Sequence, residues 1–301
     1  MGLDIHCLNL LRFGEKAGVD YSSLLTIGRP GFFVSEDELA RFFRESGAPP
    51  RARESWATKG DGFCEAFLKA VFGAQEIASL DASPYENATF IQDMNLPWRP
   101  DRRFSAVLDF GCLEHVFNFP VAIANVIAAC RDGGHLLHAL PANNWCGHGF
   151  YQFSPELFFS LYSDERGFRG TQVFLAEFDR PWTWFRVVSP QRAGKRINVV
   201  NRVKTYILVL TQKTAQAVSP LERAPLQSDY VTQWREPSKS PPARAARAEW
   251  RNFSRASGLS RAAKAVRLPL RAWRLRVLGD KQRLRADRRD MEALDVATLI
   301  G

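Results

Sequence analysis

Three aspartates, Asp81, Asp93 and Asp109, each close a short apolar run, and one loop, Pro141–Glu156, gathers Asn143, Asn144, His148, Tyr151 and Gln152 around two glycines. A carboxylate at the end of a buried strand can accept hydrogen bonds from both hydroxyls of a ribose, and a second acid on the same rim can meet an adenine amino group. The loop's donors and acceptors suit a sugar or another polar substrate. His148 titrates in the range that general-base work needs, and His115 is the competing candidate. A plainer reading stands beside each. Asp is common after strands as a turn former or helix cap. Asn and Gly make turns, Trp145, Phe150 and Phe153 pack, and His115 starts a helix. His135 and His138, three apart on a strand, point to opposite faces and read as structural. Trp182-Thr183-Trp184-Phe185, between Arg180 and Arg186, reads as an aromatic platform for a sugar ring or as a packed hairpin.

The elements that must position these groups follow from hydrophobic periodicity. Apolar runs predict strands at Ser23–Ile27, Ile77–Leu80, Phe90–Gln92, Phe104–Leu108, His135–Leu140, Thr171–Glu177 and Thr205–Thr211. Helices are expected between them. Ser35 and Glu38 form a capping-box pattern ahead of a helix that stops before Gly47. Phe63–Phe72 and Phe119–Cys130 have helical spacing, the second ended by Asp132-Gly133-Gly134, and Ser154-Pro155 opens another helix. The alternation predicts an α/β fold, a doubly wound, mostly parallel, seven-stranded sheet. In such a sheet ligands bind beyond the carboxyl ends of the strands, where the strand order reverses. The three aspartates and the Asn/His loop are expected on that rim.

Composition sets the frame. The chain has 301 residues, and its five cysteines are scattered with no C-x-x-C pair, which argues against a zinc site and a disulfide scaffold and suits a reducing cytosol. No metal ligands are expected. The N-terminus lacks a basic segment followed by an apolar run, so no signal peptide is expected. The net charge of +9 is uneven: 16 of the 41 Lys+Arg but only 6 of the 32 Asp+Glu follow residue 238. The expected organisation is one domain over 1–228, with an insertion at about 46–74, a Ser/Pro-rich linker over 229–242, and a basic helical tail over 243–301. Leucines and tryptophans among the tail's arginines suit an anionic membrane surface or a partner protein better than nucleic acid. The expected location is the cytoplasm, peripheral to the membrane's inner face.

The stretches SLDASPYENATFIQDMN and FSAVLDFGCLEHVFNFPVAIANVIAACRDGGHLLHALPANN resemble the middle of class I S-adenosylmethionine (SAM)-dependent methyltransferases, in the branch found among bacterial surface-polysaccharide enzymes. The likeness runs from about Leu24 to Thr211 and implies a Rossmann-like fold. It implies that Asp81, followed by Ala82, binds the cofactor ribose. Asp93 then contacts adenine beside an apolar Met94, and Asp109 shares the site. Leu113-Glu114-His115 maps onto the family's LEH tripeptide. The sequence departs from the family at the first loop. Thr26 replaces an acid, and Gly28-Arg29-Pro30-Gly31-Phe32 replaces a GxGxG pattern whose glycines let backbone approach the cofactor. Pro30 has no N–H to offer, Phe32 has bulk to fill the space, and Arg29 is a fork for a carboxylate. Asp81 also lies 53 positions after Gly28, where a simple unit places the acid about 20 on.

Two functions follow. One is a SAM-dependent methyltransferase acting on a polar acceptor such as a sugar hydroxyl in surface-glycan synthesis. The other is a non-catalytic module on the same fold whose cofactor loop has lapsed.

Overall fold

The computed structural model describes residues 2–47, 62–193, 197, 199–228, 230–231 and 291–301. Local signals set most elements. Strand β1 (Gly2–Leu3) leads into helix α1 (Ile5–Lys16), capped by the Asp4 carboxylate, which accepts the His6 and Cys7 amides at 3.0 Å each. Strands β2 (Ser23–Ile27) and β3 (Gly31–Phe32) precede α2 (Glu36–Ser46). The α2 capping box forms as its sequence predicts, and Gly47 ends the helix at φ 62°, a left-handed conformation that suits glycine. Next come α3 (Glu65–Phe72), β4 (Glu76–Asp81), β5 (Phe90–Ile91) and β6 (Phe104–Phe110). A 3-10 turn, Leu113–His115, leads to α4 (Phe119–Ala129) and β7 (Cys130–Pro141). Helix α5 (Pro155–Leu161) is followed by β8 (Phe168–Glu177), β9 (Thr183–Val187) and β10 (Thr205–Lys213). Met291–Asp295 forms β11 and Val296–Ile300 forms α6.

The main sheet has the order β11-β9-β8-β10-β7-β6-β2-β4-β5. Five neighbours, β5, β4, β2, β6 and β7, are parallel. From β7 outward every pairing is antiparallel. The sheet is thus nine-stranded and half antiparallel, where the sequence predicts seven mostly parallel strands. Two strands make the difference. Thr183–Val187, expected as an aromatic platform, pairs with β8 as β9, and its Trp184 is fully buried. Met291–Asp295, expected within the basic tail, pairs with β9, and α6 packs its Val296 and Ile300 into the core. Residues 243–290 of the expected tail, nearly all of the linker, and 48–61 of the expected insertion lie outside the described residues. Glu65–Phe72 of that insertion is α3, which belongs to the core.

Each face of the sheet carries its own apolar layer. One packs Leu25, Ile27, Leu80, Val107 and Leu136 under α4 and α5; the other packs Leu24, Leu108 and Leu137 under α1, α2, α3 and α6. All seven residues of β6 are buried, as a central strand covered on both sides requires. After β2 the chain builds outward through β4 and β5, then crosses back to lay β6 on the other side of β2. The reversal point therefore lies between β2 and β6, and a sheet of this kind takes its ligand in the crevice beyond the carboxyl ends there. Among the described residues, no helix is long and apolar enough to cross a membrane.

Candidate active site at the carboxyl ends of the strands

Gly28 leaves β2 at φ 75° and donates its N–H to Leu80 O at 2.6 Å, which sets it beside Asp81 at the end of β4. Asp81 is half-buried, and its Oδ1 accepts the Ser83 amide at 3.0 Å. Ala82 is exposed beside it. Asp93 is exposed and turns back on Asn95, accepting both its backbone and side-chain N–H at 2.8 Å. Met94, expected to face the ligand, is a core residue whose sulfur accepts Asn125 Nδ2 at 3.7 Å. Arg29, expected to receive an external carboxylate, is held within the protein. Its Nε donates to Glu65 Oε1 at 2.6 Å, Nη1 donates to Glu86 O, and the guanidinium lies 3.9 Å over the Phe63 ring. Phe32 packs on Phe67 with ring centroids 4.8 Å apart.

Asp109 is not a rim acid. Strand β6 continues through Phe110, so Asp109 lies inside the sheet, fully buried and directly across from His138 of β7. Its Oδ1 accepts the Cys112 and Leu113 amides at 3.1 and 3.3 Å, and its Oδ2 lies 2.9 Å from His138 Nδ1. A carboxylate only accepts, so Nδ1 carries the proton, and the Tyr162 hydroxyl donates to Nε2 at 2.8 Å. His138 is structural, as its strand position predicts.

The loop Pro141–Glu156 spends its polar groups on itself. Asn143 and Asn144 donate to Asn201, and Asn144 also to Val203 O at 2.8 Å. Gln152 Oε1 accepts the Trp145 amide at 2.8 Å, and the Tyr151 hydroxyl donates to Phe117 O at 2.6 Å. These four residues, expected to bind substrate, make these bonds within the protein and shape the loop. What they present is His148. Its ring comes within 5.1 Å of the His115 ring, centroid to centroid, so the two candidate bases share one place.

Between them lies a residue to which sequence reasoning gave no role. Glu114 is 1% exposed, and its Oε1 sits 3.5 Å from His148 Nε2 and 3.8 Å from His115 Nε2. Its Oε2 has no hydrogen-bond partner among the described residues. Burial first, and the nearby Asp109 charge second, push the Glu114 carboxyl up to about 8. Both histidines are held below their ordinary value, chiefly by partial burial; His115 then feels His148, and His148 feels Lys204. They are therefore neutral, with an available lone pair, near pH 7. The available signal was the acid inside LEH, next to an expected base.

Cys112 links the two halves of the rim. Burial raises its thiol pKa most, followed by the charges of Asp109, Glu114 and Asp81. The charges of Asp81 and Glu114 thus both act on one thiol. A cavity of about 1200 Å³ opens elsewhere, among α5, β8 and β9, lined by Arg166, Arg186, Arg223 and Glu292. None of the expected site residues lines it, and the strand-end crevice, where the titratable groups converge, is the better candidate for chemistry.

Residues 57–202 match the family model of a methyltransferase domain. No curated protein matches the chain. Among solved structures, TehB from Haemophilus influenzae aligns at 11% identity with a TM-score of 0.38, over 67% of this chain but only 61% of its own. The N-methyltransferase NodS from Bradyrhizobium japonicum WM9, in complex with S-adenosyl-L-homocysteine, aligns at 12% identity with a TM-score of 0.36, over 69% of this chain and 85% of its own. A putative methyltransferase from Streptococcus mutans, also in complex with S-adenosylhomocysteine, aligns at 15% identity with a TM-score of 0.31, over 68% and 95%. Residues 57–202 are thus similar to a methyltransferase domain, in line with the class that the strand-end motifs resemble.

Proposed function

We propose that the chain takes a methyl group from SAM and passes it to a hydroxyl of a polar acceptor, a sugar of a surface glycan being the best fit. The observation that carries this reading is that Asp81 ends β4 and the turn bearing Glu114 follows β6, on either side of β2, where the strand order reverses. The residues at the crevice fit the cofactor in part. In this reading the Asp81 carboxylate accepts both ribose hydroxyls, supported by the Gly28 turn beside it, which leaves backbone in place of a side chain. Bound there, SAM supplies an electrophilic methyl group on a sulfonium. The protein's task is then alignment and the acceptor's proton. His148, neutral near pH 7, receives that proton, and Glu114 lies against its Nε2. Exposed Phe117 and Phe150, with ring centroids 5.8 Å apart, flank the same place and offer apolar faces on which a sugar ring can stack.

A second reading, a non-catalytic module, has one observation in its favour: the Arg29–Glu65 pair and Pro30 occupy the first loop, where the family's glycines would stand. Titration calorimetry with SAM and S-adenosylhomocysteine separates the two. Binding is expected for the enzyme, and Asp81→Ala should weaken it about 100-fold, the worth of two hydrogen bonds to a charged group. Absence of heat at millimolar ligand would leave the module. The basic stretch 239–290 we assign to contact with an anionic membrane surface. Deleting it, with residues 291–301 retained because they build β11 and α6, should abolish sedimentation with anionic liposomes, and unchanged sedimentation would reject the contact.

A further inference from the structure

Glu114, His115 and His148 also form a donor set of another kind. One ligand atom from each lies within 4.8 Å of the others. Neither histidine is at ordinary hydrogen-bond length from the carboxylate, since 3.5 and 3.8 Å exceed the usual range for N–H···O. The three groups ring a gap instead of closing on each other. An ion with ligand bonds near 2.1 Å in a tetrahedral array holds its ligand atoms about 3.4 Å apart. The observed spacing needs shifts of tenths of an ångström at most along the two Glu114 edges.

The framework holds these groups in place from two distant segments. The Glu114 carbonyl accepts the Phe150 and Tyr151 amides at 2.8 and 3.3 Å, which ties the His148 loop to the 3-10 turn. A Cβ on Gly149 would come within 2.8 Å of that same carbonyl, so only glycine lets the loop approach so closely. Tyr151 and Gln152 brace the loop further through Phe117 O and the Trp145 amide. A site so supported on both sides is preorganised.

We propose that Glu114, His115 and His148 bind one divalent transition-metal ion, such as zinc, through one carboxylate and two imidazoles. Three protein ligands leave at least one coordination position open, as in catalytic and not structural sites. The binding stands apart from cofactor binding. Use of the open position to hold an acceptor oxygen rests on the methyltransferase reading, and with an ion bound His148 would serve as ligand in place of base, since a coordinated nitrogen has no lone pair for a proton.

Chelator-treated full-length protein, titrated with Zn²⁺ by calorimetry and with Co²⁺ by visible absorption, tests the site. One ion per chain is expected, in the wild type and equally in Cys146→Ser, which removes the exposed thiol on the same loop. Glu114→Gln, His115→Ala and His148→Ala should each weaken binding by at least about 100-fold, since even outer partners of metal ligands are worth 10–100-fold. Both histidines are nearly half exposed, so circular dichroism of the His variants should match the wild type. No ion bound at micromolar concentration, or undiminished binding in the double His variant, would overturn the proposal. Asp81→Ala should lose SAM and still bind Zn²⁺. Loss of zinc binding with SAM binding intact would reject the metal site alone, and the reverse would reject the cofactor assignment alone.

Discussion

Two acid–histidine groups lie a few residues apart in this molecule and have opposite characters. Asp109, His138 and Tyr162 form a closed chain inside the sheet, with each polar atom of Asp109 and His138 taken and both residues fully buried. Glu114, His115 and His148 form an open group at the sheet's end. Its carboxylate has one unpartnered oxygen, and its histidines are reachable from solvent. The first has the hydrogen-bond partners that make a buried charge tolerable; the second lacks them. A fold keeps an unsatisfied buried acid only at some cost in stability, and that cost is most readily understood where a ligand or a reaction uses the group.

Removing one partner from each group should therefore move stability in opposite directions. Asp109→Ala strips His138 Nδ1 and two amides of their acceptor. It should destabilise the protein by about 3–5 kcal/mol, the range for breaking a buried pair, as read by urea unfolding. Glu114→Gln should do the reverse at alkaline pH in chelator. A carboxyl held near 8 in the folded state, against 4.5 when free, binds its proton more tightly in the native protein. Stability then falls as pH rises from 4.5 through 8. Gln mimics the protonated form and is spared this loss, so the variant should gain about 2–4 kcal/mol over the wild type at pH 9 and little at pH 4. Equal pH profiles for the two proteins would mean that Glu114 is as well satisfied as Asp109. Tyr162→Phe removes only the donor to His138 Nε2 and should cost about 1–3 kcal/mol, the penalty for a buried unsatisfied acceptor.

The contrast also explains what the sequence could say. Strands such as Ser23–Ile27 and Phe104–Phe110 are continuous apolar runs with turn residues after them, and Ser35–Glu38 is a local capping signal; no distant partner is needed to read either. Helix α1 was not legible in the same way. It buries His6 and Asn9, which bond to Phe178 O and Pro181 O across the fold, among its apolar residues, and these polar positions break the helical pattern. Strand β11 depends on pairing with β9 across more than 100 residues and is hidden in a basic run. At the site, Asp81 and the two histidines were visible by type and place. Asp109 reads as a rim acid because its strand runs two residues past Leu108, where the apolar run ends. Glu114 was passed over because its burial is produced by a loop that arrives from far along the chain.

The smallest expected change separates the two groups by function. Phe150 stands exposed beside Phe117, and its backbone N–H, which any residue retains, makes the bond to Glu114 O. Phe150→Ala therefore removes an aromatic face without opening the core. Stability should stay within about 0.5 kcal/mol, as for surface positions away from caps and cores. If a sugar acceptor stacks there, KM for the acceptor should rise several-fold while kcat and SAM affinity hold, because stacking serves substrate and transition state alike. A fall in kcat at unchanged KM would instead place Phe150 with Glu114 in the chemistry, and a stability loss comparable to Tyr162→Phe would assign it to the scaffold. The open group would then be partly structural, and the line drawn here between a satisfied and an unsatisfied acid would run through the loop.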